Sequence, residues 1–296
     1  MKVDAYSPAL EAIVPRSARL DRIAYGLSFG EGPVWDQRGG ALYFVDIIAS
    51  RVHRWTPGVG VETVIPNTGH ANGMTFDHEG RLLVAGWSSR TVWRREHDGS
   101  LTTLASHFEG KALNTPNDIV VHSNGAIYFT DSDGGLFIPG MEGEDVQRYL
   151  DFSGVFRIPP GGGDAVAVLT RGAFPNGLAF SPDESLLYVT DTRDRHISVF
   201  DVQADGSLAN GRVFYELKGE EVGHADGMKV DVEGNVYCTG PAGIHILSPD
   251  GELLGRLHVP ADCTNMAWGD DDAKSLYITT FHSVFRVRLK IAGIRP

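Results

Sequence analysis

Six positions in this chain carry an acid or a carboxamide at the head of a recurring phrase: Glu31, Asn72, Asn117, Asn176, Asp226 and Asn265. The phrases read EGPVWDQRGGALYFVD, NGMTFDHEGRLLVAG, NDIVVHSNGAIYFTD, NGLAFSPDESLLYVTD, DGMKVDVEGNVYCTG and NMAWGDDDAKSLYITT. None of the six heads is His, Cys, Lys or Arg. Carboxylate and amide oxygens are hard donors, so six of them brought to one centre would suit a divalent cation such as calcium, magnesium or manganese. Two carboxylates, Glu31 and Asp226, would balance one such ion. Without it they would repel each other and one pKa would rise. The plainer alternative is that Asn and Asp open strands here because they are turn residues.

The regularity of the phrases says what could gather them. From each head, the centre of the second apolar run (Tyr43, Leu83, Tyr128, Tyr188, Tyr237, Tyr277) lies 11 or 12 residues on, whereas the heads themselves are unevenly spaced. A rigid hairpin joined by variable loops gives that pattern. Turn residues sit between the runs at Asp36 to Gly40, Asp77 to Gly80, Asn124-Gly125 and Asp231 to Gly234,. A third run follows each pair: RVHRW, TVWRR, GVFRI, HISVF, GIHIL and SVFRVRL. The expected fold is therefore all-β, a six-bladed β-propeller whose four-stranded antiparallel blades surround a central channel. It is expected to form a single domain over residues 1–296; two β-domains would require a boundary that six equivalent units in series do not show. The sixth unit is short of a fourth strand, so residues about 16–29 are expected to close it. Only short stretches such as residues 8–14 suit a helix.

In a propeller the first strand of each blade lines the channel, which would set the six heads in a ring at one mouth. The second strand returns to that face, and the third unit carries an unusually long loop there, residues 131–154. Its Phe137, Tyr149 and Phe152 are mixed with Asp133, Glu144 and Arg148, which suits a lid over a polar ligand; a surface excursion is the alternative. His70 and His224 each stand two residues before a ring position and are candidates for binding substrate, or else plain surface histidines. Asp46, Asp131 and Asp191 end second strands and read as turn formers before ligands. Trp87 could stack on a sugar ring or fill the core edge. Cys238 reads as a buried small hydrophobe.

Composition narrows the classes. The 296 residues are 42% hydrophobic and carry a formal net charge of −12. Such an acidic chain repels phosphate backbones and anionic lipid, so neither nucleic acid nor membrane is an expected partner. No run of 18 apolar residues occurs, and residues 1–15 lack the plan of a secretion signal. With two cysteines there is no disulfide framework, and a cytoplasmic setting is expected. No Gly-Xaa-Ser-Xaa-Gly elbow is present, which argues against a serine hydrolase. Oligomeric state is not legible.

These motifs, GEGPVW (30–35), LNTPNDIVV (113–121), FPNGLAFSPD (174–183), HADGMKVD (224–231) and TNMAW…SLYIT (264–279), resemble the regucalcin/gluconolactonase family, also called SGL, over about residues 28–290. The LNTPND wording is most similar to the bacterial gluconolactonase branch. In regucalcin an arginine precedes the corresponding asparagine by two residues, where this chain has Thr115. The resemblance implies a six-bladed propeller lactonase acting on aldonolactones such as gluconolactone or xylonolactone. It implies one divalent metal held by Glu31, Asn176 and Asp226, with zinc or iron accepted as well as calcium, magnesium or manganese. It also implies Asp226 as general base and Asn117 at the metal or the substrate. On that basis Asn117, Asn72 and Asn114 are expected to hydrogen-bond substrate hydroxyls, while the ion polarises the carbonyl and acidifies water. Two alternatives are a hydrolase of non-sugar lactones, esters or phosphotriesters on the same site, and a non-catalytic binding propeller.

Overall fold

The computed structural model describes residues 1–295. The three apolar runs of each phrase are consecutive antiparallel strands, and a more polar fourth strand completes each sheet. The first blade consists of Gly30–Asp36, Ala41–Asp46, Arg51–Thr56 and Gly60–Pro66. The second follows with Ala71–Phe76, Leu82–Gly86, Thr91–Arg95 and Leu101–Ala105. The third has Thr115–Val121, Ile127–Ser132, Gly154–Ile158 and Val166–Leu169, and the fourth Pro175–Phe180, Leu186–Asp191, His196–Val202 and Leu208–Glu216. Met228–Val230, Val236–Gly240, Gly243–Leu247 and Leu253–His258 make the fifth. Cys263–Gly269, Ser275–Thr280 and Ser283–Arg288 make most of the sixth. Its outer strand is Leu20–Tyr25, with Leu20 opposite Val287 and Tyr25 opposite Ser283.

The six inner strands touch in order, first to sixth and back to the first, so the sheets close into a six-bladed β-propeller. Inner and second strands are covered on both faces by neighbouring blades, which is why they read as nearly unbroken apolar runs. The outer strand Gly60–Pro66, by contrast, is mostly open to water. Between blades lie the repeated tyrosines Tyr128, Tyr237 and Tyr277, almost fully buried. Each sends its hydroxyl to an acceptor: Gly206 O at 2.8 Å, Asp231 Oδ2 at 2.9 Å and Asp270 Oδ1 at 2.7 Å. Burying such a ring contributes roughly 1.5–3 kcal/mol, and the hydroxyl partner avoids the desolvation cost that would offset it.

Three features lie outside the repeat. Val3–Ala5 adds a fifth strand to the fifth blade, with Val3 opposite Leu257. The helix Leu10–Ile13, in the stretch whose composition suited one, packs Leu10 and Ile13 into the core shared by the last two blades. A two-stranded ribbon, His107–Phe108 with Lys111–Ala112, precedes the third blade and has no signature in the repeat. Among the described residues no helix is long and apolar enough to cross a membrane.

Candidate active site

Each ring residue stands at a local irregularity in its sheet. Pairing between inner and second strands slips between Glu31 and Val34, Ala71 and Met74, Pro116 and Ile119, Pro175 and Leu178, and Cys263 and Asn265. In the fifth blade the inner strand begins only at Met228, so Asp226 precedes it. A bulge releases a side chain from the ladder and re-aims it. Glycine follows the ring residue in four blades because the neighbouring strand is too close for a Cβ. A methyl on Gly32 would overlap the Asn72 carbonyl, on Gly73 the Asn117 carbonyl, on Gly177 the Asp226 carbonyl, and on Gly227 the Asn265 side chain.

The resulting ring is a connected polar set. Asn265 donates through Nδ2 to Glu31 Oε2 at 3.1 Å, and the Gly32 N–H donates to the same oxygen. Glu31 is buried, and that burial above all lifts its carboxyl to about 8, with repulsion from Asp118 adding to it. Asp226 is partly open. Its carboxyl is raised well above the usual range, first by desolvation and then by Glu31, Asp118 and Asp262, while a hydrogen bond from Asn176 opposes the rise. Asn176 also donates to Thr192 Oγ1 at 3.0 Å. Asn72, Asn117 and Asn265 are buried around the same channel.

The donor set fits a hard cation. Asn72 and Asn176 leave buried Oδ1 atoms, and Asp118 a buried Oδ2, with no hydrogen-bond partner. A buried oxygen left unpaired costs about 1–3 kcal/mol, and a hard cation is a partner that such oxygens can share. Among the described residues no group of three His, Cys, Asp and Glu gathers into a metal cage. Any ion held at the ring therefore depends on amide oxygens as much as on carboxylates.

The remaining candidates divide between the ring, its rim and its supports. His70 and His224 are at the rim. His70 is half-buried with Nδ1 3.1 Å from both Ser88 Oγ and the Met141 carbonyl; His224 is exposed and 3.3 Å from Asp262, whose proximity raises its pKa. Asn114 is fully buried and donates Nδ2 to the Phe152 carbonyl at 2.9 Å, which ties the long loop down, while its Oδ1 accepts nothing. Trp87 is a core residue lying against Gly135. Asp46, Asp131 and Asp191 are clamps. Asp46 accepts from the Ser28 and Phe29 N–H groups at 2.8 and 3.0 Å, Asp131 from Asn114 N at 2.9 Å, and Asp191 from Ala173 N at 2.7 Å. In each case the clamped amide lies two or three residues before a ring residue. The 131–154 loop is docked: Met141 and Leu150 are buried in it, and Arg90 donates to the carbonyls of Asp145 and Gln147, both at 2.7 Å. Asp133 in that loop pairs with Arg148 and Arg193, both at 3.0 Å.

Two groups of residues around the ring escaped the reading of the sequence. Asp118 and Lys229 enter the channel beneath the ring. Asp118 stands where four other units have glycine, and Lys229 is the one cation in the inner-strand phrase DGMKVD. The second group is a set of buried threonines two residues after the repeated tyrosine: Thr130, Thr190, Thr239 and Thr279. Thr130 Oγ1 donates to Asn176 O at 2.6 Å and Thr190 Oγ1 to Asp226 O at 2.7 Å. Thr239 Oγ1 accepts from Asp226 N at 2.9 Å, and Thr279 Oγ1 from Asn265 N at 3.2 Å. The repeat Tyr-Xaa-Thr was the signal that could have found them. Two cavities that open elsewhere contain no ring residue. One of about 630 Å³ lies at the perimeter, with the third strand and outer strand of the fourth blade in its lining, and one of about 450 Å³ lies at the far end of the inner strands.

With this geometry in view, the comparisons with known proteins point one way. The family model described as "SMP-30/Gluconolactonase/LRE-like region" matches residues 29–282. A gluconolactonase of Zymomonas mobilis is 34% identical, with 99% of this chain and 87% of that protein covered. A pentonolactonase of Haloferax volcanii is 29% identical over 85% of this chain and 81% of its own. The solved structure of a gluconolactonase from Xanthomonas campestris superposes with a TM-score of 0.91 at 31% identity, covering 98% of this chain and 95% of that one.

Proposed function

We infer that this chain, which belongs to the SMP-30/gluconolactonase/LRE-like family, is a lactonase that opens a sugar lactone to its hydroxy acid with the help of a divalent ion. The observation that carries the reading is the closed ring of two carboxylates and four carboxamides, in which the Oδ1 atoms of Asn72 and Asn176 have no partner in the protein. Glu31, Asn176 and Asp226 are the residues we assign to hold the ion. When bound, the ion supplies Lewis-acid polarisation of the lactone carbonyl.

The protein's own groups account for the rest. Glu31 has one oxygen already engaged by Asn265 and the Gly32 N–H, and we assign the other to the ion. Asp226 is the ring acid that reaches solvent, so we assign it the proton of the attacking water,. We assign Asn117 and Asn72 to orient ring hydroxyls, with His70 and His224 at the rim. The sugar class rests on the relatives' activities and on this polar lining. The free, buried thiols of Cys238 and Cys263 accord with the cytoplasmic setting we propose.

The test is hydrolysis of glucono-1,5-lactone and of a five-carbon aldonolactone by protein stripped with a chelator and then reloaded with single divalent ions. Turnover of either lactone that falls at least tenfold on stripping and returns with one ion supports the reading. Full turnover in the stripped state would remove the metal from it. Ion binding without turnover would remove the sugar lactone.

A further inference from the structure

The channel beneath the ring holds more charge than the lactonase chemistry uses. Asp118, on the innermost strand of the third blade, is buried; its Oδ1 accepts from the Ile119 N–H at 2.9 Å and its Oδ2 accepts nothing. Lys229, on the innermost strand of the fifth, brings its ammonium to 4.0 Å from that Oδ2. The same ammonium donates to the Met228 carbonyl at 2.8 Å and reaches Asn265 Oδ1 at 3.4 Å. The Asn265 amide in turn donates to Glu31. A lysine so placed leaves Asn265 one orientation: its carbonyl oxygen faces the ammonium and the Met266 N–H, 2.8 Å away, and its NH₂ faces Glu31.

We propose that Lys229 is a positioning residue of the ring, a cation built into the channel that neutralises Asp118 and, through Asn265, aims Glu31. Three carboxylates, Glu31, Asp118 and Asp226, then stand against one ammonium. With all three ionised, as a bound cation would favour, they would sum to two net negative charges, which match one divalent ion. Lys229 also lines the 450 Å³ cavity at the far end, among Val34, Met74, Phe180 and Ile294. It thus stands between the polar ring and that cavity, whose lining also includes Asp183, Glu184 and Arg295. The part of this proposal that concerns the ion rests on the metal reading above; the part that concerns Asp118 does not.

The experiment is a charge-removal double-mutant cycle on the full-length protein: Lys229→Met, Asp118→Asn, and both together, each measured without added metal by thermal unfolding. Removing the ammonium leaves Asp118 buried with no counter-charge, so Lys229→Met should unfold many degrees below wild type or fail to fold. The double variant restores the charge balance and should recover most of that loss. A double variant no more stable than Lys229→Met overturns the proposal. A second arm titrates manganese(II) and terbium(III) calorimetrically. The added negative charge in Lys229→Met should raise terbium affinity relative to manganese at least tenfold, and Asp118→Asn should reverse this. A merely structural lysine would weaken both ions alike. Wild type that binds neither ion removes the metal reading, and the unfolding cycle still decides the role of Lys229.

Discussion

At the scale of the residue, the two acids of the ring are not equivalent. Glu31 is enclosed and hydrogen-bonded from two sides; Asp226 is partly open to the mouth. Asp226→Asn therefore separates the holding of an ion from the handling of a proton, since the amide keeps one oxygen donor and loses the base. We expect kcat on the preferred lactone to fall by about 10²–10⁴, the usual worth of a positioned general base, with an ion still bound by calorimetry. Near-normal kcat would take the base role away from Asp226. The ring heads were legible in the sequence because repetition marks them: six acids or amides at one place in six phrases. Lys229 and Asp118 were not, because each interrupts the repeat in a single blade. A lone Lys on a strand reads as a solvent-facing charge until the strand is known to line a channel.

At the scale of the element, the site is held by second strands reaching across to first strands. The aspartates at second-strand ends clamp the loops that deliver Glu31, Asn117 and Asn176, and the buried threonines fix the backbone on which Asn176, Asp226 and Asn265 are carried. Thr190 bridges blades, since its hydroxyl reaches both Gly177 O at 3.2 Å and Asp226 O at 2.7 Å. Thr190→Val keeps the shape and leaves those carbonyls without the hydroxyl. It should cost about 1–3 kcal/mol of stability in chemical denaturation. It should also lower kcat with little change in KM, because the displaced group is Asp226. An unchanged kcat would confine Thr190 to stability. The hairpins and the order of the blades could be read from turn residues and apolar runs. The bulges could not, because they follow from how closely neighbouring inner strands approach, which shows in the sequence only as an unexplained glycine after four of the six heads.

At the scale of the whole molecule, His245 gives the fold a pH dependence of its own. It is fully buried in the third strand of the fifth blade, its Nε2 hydrogen-bonded to the Pro241 carbonyl at 2.9 Å and its Nδ1 without a partner. Protonation would place a charged N–H where nothing accepts it, and desolvation above all lowers the pKa from 6.5 to about 4. Between those values the unfolded chain binds the proton and the folded one does not, so this contribution to stability is lost as pH falls from 6.5 toward 4, by up to about 3 kcal/mol. His245→Gln should unfold with a shallower decline over that window; identical slopes would show that His245 is not the group responsible. The closing strand has a different consequence, one of timing. Leu20–Tyr25 belongs to the sixth blade, yet its partner Ser283–Arg288 lies at the opposite end of the sequence. Four sheets draw only on neighbouring segments, whereas the fifth and sixth each take a strand from the N-terminus, so joining the two ends is expected to be the late and slow event in folding. By the same reasoning the seam between them is the place where the circle should open first, and until it closes the sixth blade carries an uncovered strand edge of the kind that invites aggregation.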